Sequence, residues 1–207
     1  MSVHLEKWRY VIGFTVAMAG QALRALTIGL DYIKRGGKKR KIFASTLVKD
    51  GIFAHCRNPL YLGNILIVVG LAIIANSIPF YFVGIPLFIL MYLAITQAEE
   101  NYLSNKFGKE YTEYCTNVNR FMPNLSGIRN TMKRMRFNWS RVVVKEYGAT
   151  YVWITCAILL IMRNQYARYA REVNRNEFMI LCSLIVFATV LYTIVRYLKK
   201  SKRLTAN

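Results

Sequence analysis

Two groups of residues in this chain have the types and spacing to bind a charged small molecule. Arg57 comes just before Asn58-Pro59 at the start of an apolar run, and the acidic pair Glu99-Glu100 follows the end of the next one. Free N–H groups at a helix N-terminus favour a carboxylate or phosphate, arginine adds a fork-shaped donor, and the glutamates favour a cation. On the residues alone, two interpretations stand: a site for a zwitterion, or a salt bridge that closes a helical hairpin.

The two apolar runs, residues 60–75 and 79–95, are predicted to position these groups as a membrane-spanning hairpin. As helices, residues 57–76 would rise about 28 Å and residues 79–99 about 30 Å, so the second returns to the level where the first began. Proline is well tolerated at the first helical position, and Asn58 is predicted to cap the helix. Gly63 and Gly70 leave one face open for close approach of a neighbour or ligand.

Composition places the chain among membrane proteins. It has 207 residues, 55% of them hydrophobic, and a formal net charge of +19. Soluble domains rarely combine so much apolar content with so few acids. No nucleic-acid partner is predicted, because the basic residues lie between apolar spans rather than among exposed aromatics. The four cysteines and two histidines are scattered, so neither a disulfide framework nor a metal site is predicted.

The sequence predicts an all-α, polytopic bundle of about five transmembrane helices. Besides the hairpin, apolar spans cover residues 8–30, 148–162 and 178–198. The span at 148–162 is near the lower length limit for crossing, so it would borrow residues 142–144 or tilt little. Arg24 interrupts the first span, and it would face the bundle interior or extend to the nearer interface.

The distribution of positive charge predicts the topology. Residues 34–58, residues 101–147 and the C-terminal tail carry 22 of the 29 Lys and Arg, against six on the opposite side. This asymmetry predicts a cytoplasmic site and C-terminus with the N-terminus outside, in a bacterial inner membrane or the endoplasmic reticulum. The densest cluster, at residues 34–41, would be a topogenic signal or a binding site for anionic lipid head groups.

The segment after the glutamates is predicted to fold back along the membrane face. Gly108 after a helical run indicates a helix end followed by a second short helix. Tyr111 and Tyr114 would share a face of that helix and pack over an adenine or anchor at the interface. Arg120 is a second anion partner. Basic and apolar residues alternate over 128–141, which favours an interfacial amphipathic helix or a solvated linker.

The ordered set of these residues resembles the isoprenylcysteine carboxyl methyltransferase and phospholipid methyltransferase family of integral membrane enzymes. The resemblance covers residues 47–124, and Asn58 stands where the family usually has histidine. The matching residues are Gly51, Phe53, Arg57-Asn58-Pro59, Tyr61, Gly63, Glu99-Glu100, Phe107-Gly108, Tyr111, Tyr114, Arg120 and Pro123.

The resemblance implies a methyltransferase that uses S-adenosyl-L-methionine and acts on a lipid-borne acceptor, either a lipid or a prenylated small molecule or protein. It implies catalytic roles for Arg57, Glu99, Glu100 and Arg120. It implies a cofactor pocket lined by Asn58, Pro59, Tyr61, Leu62, Gly63, Glu99, Glu100, Tyr111 and Tyr114. Isoprenylcysteine carboxyl O-methylation is the expected reaction. A phospholipid amine acceptor is the alternative, with Glu99 or Glu100 as the base.

Two further classes stay open. An NADPH-dependent, sterol-type reductase shares part of the pattern, but Glu99-Glu100 disfavours it because a 2′-phosphate calls for added Arg or Lys. A non-catalytic membrane scaffold finds its support in Asn58. The expected organisation is a first helix and basic loop, a methyltransferase core, a basic interfacial linker, and a C-terminal helix pair for packing or partner contacts. These parts cover residues 1–46, 47–124, 125–147 and 148–207.

Overall fold

The computed structural model describes residues 3–30, 46–168 and 175–206, and the described chain forms an all-helical bundle, which confirms the predicted fold class. The basic segment 34–41 lies outside the described residues. The helices are α1 Val3–Leu30, α2 Pro59–Ala75, α3 Ile85–Phe107, α4 Lys109–Asn117, α5 Ile128–Arg134, α6 Trp139–Arg168 and α7 Arg175–Lys200. A 3-10 turn at Gly51–Ala54 precedes α2, and a wide π turn at Phe80–Gly84 leads into α3.

Four segments of the described chain are long and apolar enough to cross a membrane: Leu5–Leu30, Phe80–Phe107, Trp139–Ala167 and Arg175–Lys200. The fifth apolar helix, α2, has 17 residues, which is the lower limit for spanning. Helix α6 begins before residue 142, so the short span does extend through residues 142–144 as predicted. In the most apolar stretch of each helix, only 6% of the residues of α3 and none of those of α7 are buried. Both helices therefore leave most of their surface for contact with lipid.

Helices α1 and α2 pack antiparallel through two pairs of glycines, Gly13 with Gly70 and Gly20 with Gly63. A Cβ atom on Gly20 would lie 2.5 Å from the Gly63 carbonyl oxygen, and one on Gly63 would lie 2.8 Å from the Gly20 carbonyl oxygen. Only glycine permits backbones to approach this closely. The open face predicted at Gly63 and Gly70 is therefore filled by a neighbouring helix, α1.

Helix α6 packs against this pair and completes a small core around Ala17, Ile67 and Trp153. Near its C-terminal end, the Arg163 guanidinium and the Asn164 amide donate hydrogen bonds of 2.8 and 2.7 Å to carbonyl oxygens in the last turn of α2. Carbonyls in that turn have no partner within the helix, so these bonds satisfy the end of α2.

The amphipathic helix predicted over residues 128–141 is shorter than expected. Helix α5 ends at Arg134, and a new helix begins at Trp139. The reason is Asn138, whose side-chain oxygen accepts a 2.8 Å hydrogen bond from the Arg141 backbone N–H and so caps α6. Its own N–H bonds the Gly29 carbonyl oxygen at 2.9 Å, which places the start of α6 beside the end of α1.

Candidate functional site

The site lies where the start of α2 meets the segment that returns after α4. The Arg57 N–H donates to the Asn119 carbonyl oxygen at 3.0 Å, and the Asn58 N–H donates to the Arg120 carbonyl oxygen at 3.1 Å. One step further, the buried His55 ring contacts the Asn124 carbonyl oxygen at 2.7 Å. These bonds hold residues 55–58 and 119–124 side by side, so arginines from both segments reach the end of α3.

Asn58 occupies the N-cap position of α2 but does not cap it with its side chain, so this part of the prediction is wrong. The side-chain amide donates instead to the Arg120 carbonyl oxygen at 3.3 Å. Asn58 is buried, and its backbone and side chain both bond the same carbonyl. In this chain the asparagine therefore fastens the returning segment to the start of α2.

Glu100 lies between two arginines. The Arg120 Nε donates to one carboxylate oxygen at 3.1 Å and its Nη2 pairs with the other, while the Arg57 Nη1 lies 3.4 Å away. Burial alone would lower the pKa of the Arg57 guanidinium, but the Glu100 carboxylate and Cys115 outweigh it and raise that pKa. Arginine side chains stay protonated in proteins, so two positive groups share one carboxylate here.

Arg57 has a further donor at this position. Its Nη1 donates to the Cys115 sulfur at 2.6 Å, whereas its Nε is buried and has no hydrogen-bond partner among the described residues. A buried, charged donor without a partner is costly, and such groups are found where a ligand completes the bonding. The charge excess and this Nε both fit the carboxylate of an amino-acid ligand.

Glu99 faces α2. The Tyr61 hydroxyl donates a 2.7 Å hydrogen bond to its carboxylate, and the Tyr61 ring lies 5.6 Å from that of Tyr92. Tyr61 lies in the first turn of α2 and Glu99 about two turns before the end of α3 at Phe107, so this bond joins the start of α2 to the C-terminal half of α3. A carboxylate held here could pair with a cationic group beside Arg57 and Arg120.

Tyr111 and Tyr114 are buried rather than displayed on an open face. They pack with Val118 in a cluster that includes Leu103 and Phe107. The Tyr114 hydroxyl donates to the Phe53 carbonyl oxygen at 2.7 Å and ties α4 to the 3-10 turn. Burial, a hydrogen bond with Cys115 and the charge of Glu100 raise the pKa of Tyr111. Both tyrosines therefore pack α4 against the segments that form the site. Their contact with a cofactor stays a prediction.

The remaining predicted cofactor residues form the first turns of α2. Pro59 begins the helix and is fully buried, and the Leu62 N–H donates to the Asn58 carbonyl oxygen at 3.1 Å. Gly63 faces α1, where its missing side chain makes room for Arg24. Gly63 therefore positions the site through helix packing, and its predicted contact with a cofactor is untested.

Arg24 belongs to a polar network within the bundle whose acidic member, Glu146, was not predicted from the sequence. Arg24 forms a two-point ion pair with Glu146 of α6, at 2.6 and 2.7 Å, and its Nη1 donates to Asn64 of α2. Gln21 also donates to Glu146 and accepts a 2.9 Å bond from the Trp153 indole. Arg24 therefore faces the bundle interior. The available signal was an acid beside the valine run 142–144, since ionisable groups within a span are rarely without a partner.

The described chain is thus a polytopic helical membrane protein with a charged, partly buried site at one end of a hairpin. Its residues 8–110 match the model of the phospholipid methyltransferase family. The chain belongs to that family. The match includes most of α1, which lies outside the resemblance at residues 47–124, and it ends before Tyr111 and Arg120.

Two relatives carry names from metal resistance. The chain is 32% identical over 161 residues to the nickel-cobalt-cadmium resistance protein NccN of Alcaligenes xylosoxydans xylosoxydans, covering 78% of this chain and 68% of that protein. It is 33% identical over 116 residues to the cobalt-zinc-cadmium resistance protein CzcN of Cupriavidus metallidurans, covering 56% of this chain and about half, 48%, of that protein. No solved structure matches the chain.

Proposed function

We propose that this protein is an S-adenosylmethionine-dependent methyltransferase that acts on a lipid-borne acceptor at the end of the α2–α3 hairpin. The observation that carries the proposal is the convergence of Arg57, Arg120, Glu99 and Glu100 where the start of α2 meets α3. Family membership supports methyl transfer as the reaction class.

The charges match the two ends of an amino-acid zwitterion. Arg57 and Arg120 share Glu100, so positive charge is in excess there and Arg57 Nε has a donor to offer. These groups would hold the carboxylate of the cofactor. Glu99, oriented by Tyr61, would hold its ammonium or sulfonium end.

When bound, S-adenosylmethionine supplies an electrophilic methyl group. The contribution of this chain would be to orient the two reactants and to exclude water from between them. A carboxylate acceptor is already nucleophilic and needs no base. An amine acceptor must lose a proton, and Glu99 is the better candidate to take it because Glu100 is already engaged by both arginines. We favour a carboxyl acceptor of the isoprenylcysteine type, with a phospholipid amine as the alternative.

Calorimetric titration of the detergent-solubilised protein with S-adenosylhomocysteine tests the proposal. Wild type should bind, and Glu99→Gln/Glu100→Gln should bind at least tenfold more weakly, the loss expected when a charged hydrogen-bond partner is removed. Because Glu100 also holds Arg57 and Arg120, the single Glu99→Gln variant, checked for an unchanged thermal midpoint, separates lost binding from lost folding.

An NADPH titration completes the test. Binding of NADPH without binding of S-adenosylhomocysteine would contradict the methyltransferase proposal in favour of a reductase. Absence of both would favour a scaffold that has kept the fold.

The relatives' names favour a cellular setting for this activity. We propose that methylation of a membrane component by this protein contributes to tolerance of cobalt, cadmium, nickel or zinc. Within residues 3–30, 46–168 and 175–206, no three His, Cys, Asp or Glu side chains group to hold a metal ion. Expression in a metal-sensitive bacterium should raise the tolerated cadmium concentration, and Glu99→Gln should abolish the gain. Equal protection by both proteins would contradict the link.

A further inference from the structure

Thr96 in α3 has a buried hydroxyl whose hydrogen-bonding capacity is not used by the described residues. The residue is 0% exposed, and its Oγ1 has no hydrogen-bond partner in the described part of the chain. Threonines within helices usually avoid this by donating to the carbonyl one turn earlier. Thr27 in α1 does so: it is 1% exposed, and its hydroxyl donates to the Leu23 carbonyl oxygen at 2.8 Å. Thr96 is equally buried and leaves that option unused.

The position of Thr96 places this hydroxyl at the candidate site. Tyr92, Thr96 and Glu99 are spaced by four and three residues, so they form one stripe along α3. The two outer members of the stripe both contact Tyr61: the Tyr92 ring lies 5.6 Å from the Tyr61 ring, and Glu99 accepts the Tyr61 hydroxyl bond. Thr96 therefore lies on the face of α3 that is turned toward Tyr61 of α2, about one turn, or roughly 5 Å, deeper into the membrane than Glu99.

We infer that Thr96 is a further cofactor-binding residue, whose hydroxyl hydrogen-bonds a polar group of S-adenosylmethionine on the membrane side of Glu99. The inference rests on the proposed function. A buried polar group is tolerated when a ligand supplies the missing partner, and here the same end of the hairpin has a second such atom, Arg57 Nε. Neither sequence spacing nor the family motif residues pointed to Thr96.

The test compares Thr96→Val, which removes only the hydroxyl, with the matched control Thr27→Val. In calorimetric titration, Thr96→Val should weaken S-adenosylhomocysteine binding about tenfold, as expected for one lost hydrogen bond. Its thermal midpoint without ligand should be unchanged or higher, because the unpartnered hydroxyl is gone. Thr96→Ser keeps the hydroxyl and should bind within about twofold of wild type. Thr27→Val should also bind as wild type does, since its hydroxyl serves only the helix.

The outcomes separate this inference from the proposed function. If wild type does not bind S-adenosylhomocysteine, the proposed function fails and the role of Thr96 fails with it. If wild type binds and Thr96→Val binds equally well, only the role of Thr96 is overturned. If Thr96→Val lowers both the affinity for S-adenosylhomocysteine and the thermal midpoint without ligand, Thr96 serves packing rather than binding, and the inference is also overturned.

Discussion

Arg24 in α1 and Glu146 in α6 form a two-point ion pair within the helical bundle, with side chains only 14% and 5% exposed. Arg24 lies within the region matched by the family model, and Glu146 lies outside it. Arg24 also donates to Asn64 and packs against Gly63, both in α2. The pair therefore fastens the C-terminal part of the chain to the helix that begins at the site.

Removing the acid of this pair should destabilise the protein strongly. Glu146→Gln leaves the Arg24 charge buried without its counterion, which costs about 3 kcal/mol in the free energy of unfolding. Thermal unfolding in detergent, followed by the fluorescence of the three tryptophans, measures it. The control is Glu110→Gln, which breaks the exposed pair with Lys49 and should leave stability unchanged. Equal stability of Glu146→Gln and wild type would contradict a structural role for the pair.

Gly70, packed between α1 and α2, and Gly148, on α6, should respond in opposite ways to substitution by alanine. In Gly70→Ala, the new methyl would lie 2.6 Å from the Ala17 backbone nitrogen and 2.8 Å from the Ala17 Cβ, so we expect a loss of about 1–3 kcal/mol in stability. Among the described residues, no atom outside the surrounding turns of α6 lies within 4 Å of a Cβ added at Gly148, so Gly148→Ala should be neutral or gain up to about 1 kcal/mol. Denaturant unfolding of both variants checks the signs, and a stable Gly70→Ala would refute the close packing.

The bond from Tyr61 to Glu99 should matter for ligand binding more than for folding. Tyr61→Phe removes the donor that orients the carboxylate, so the dissociation constant for S-adenosylhomocysteine should rise about tenfold with little change in thermal midpoint. The control is Tyr102→Phe, which removes the hydroxyl of a different tyrosine, in α3, and should bind as wild type does. Indistinguishable affinities for the two variants would mean that Glu99 does not need this bond.

Tyr111 predicts a loss of stability at alkaline pH. Its pKa is raised by burial first, then by the Cys115 bond and the Glu100 charge, so the folded protein keeps its proton when the unfolded chain releases it near pH 10. Between these two pKa values the folded state holds more protons, and stability falls as pH rises, by up to about 1.4 kcal/mol per pH unit. The fall should be shallower in Tyr111→Phe, measured by unfolding at pH 8, 10 and 11. Parallel curves would contradict the shift.

Much of the fold could be predicted from the sequence because apolar run length and helix-end signals are local properties. The hairpin, the stop at Gly108 and the extension of the short span through residues 142–144 all follow from such signals. The alternation of apolar and basic residues predicted one helix through residue 141, but α5 ends at Arg134 because Asn138 caps the start of a new helix. The hydrogen bond from the Asn58 side chain to the Arg120 carbonyl oxygen could not be predicted, because its acceptor lies 62 residues further along the chain and helix-end signals are local.

The same division applies to the site. Arg57, Glu99, Glu100 and Arg120 could be chosen from residue type and spacing, and the structure brings them together. Which glutamate pairs with the arginines, and which with Tyr61, depends on the rotation of α3 about its axis and could not be read from the adjacent pair. Thr96 and Glu146 were missed because their significance lies in a missing partner and in a distant one.

Transfer of a labelled methyl group tests the central claim most directly. Membranes containing the protein would be incubated with S-adenosylmethionine that carries a tritiated methyl group, and radioactivity would be counted in the organic extract and in protein. We predict incorporation with wild type and its loss with Glu99→Gln. Release of label as methanol by mild base would indicate a carboxyl methyl ester, and base-stable label would indicate a methylated amine. Equal incorporation by wild type, Glu99→Gln and membranes lacking the protein would contradict the account.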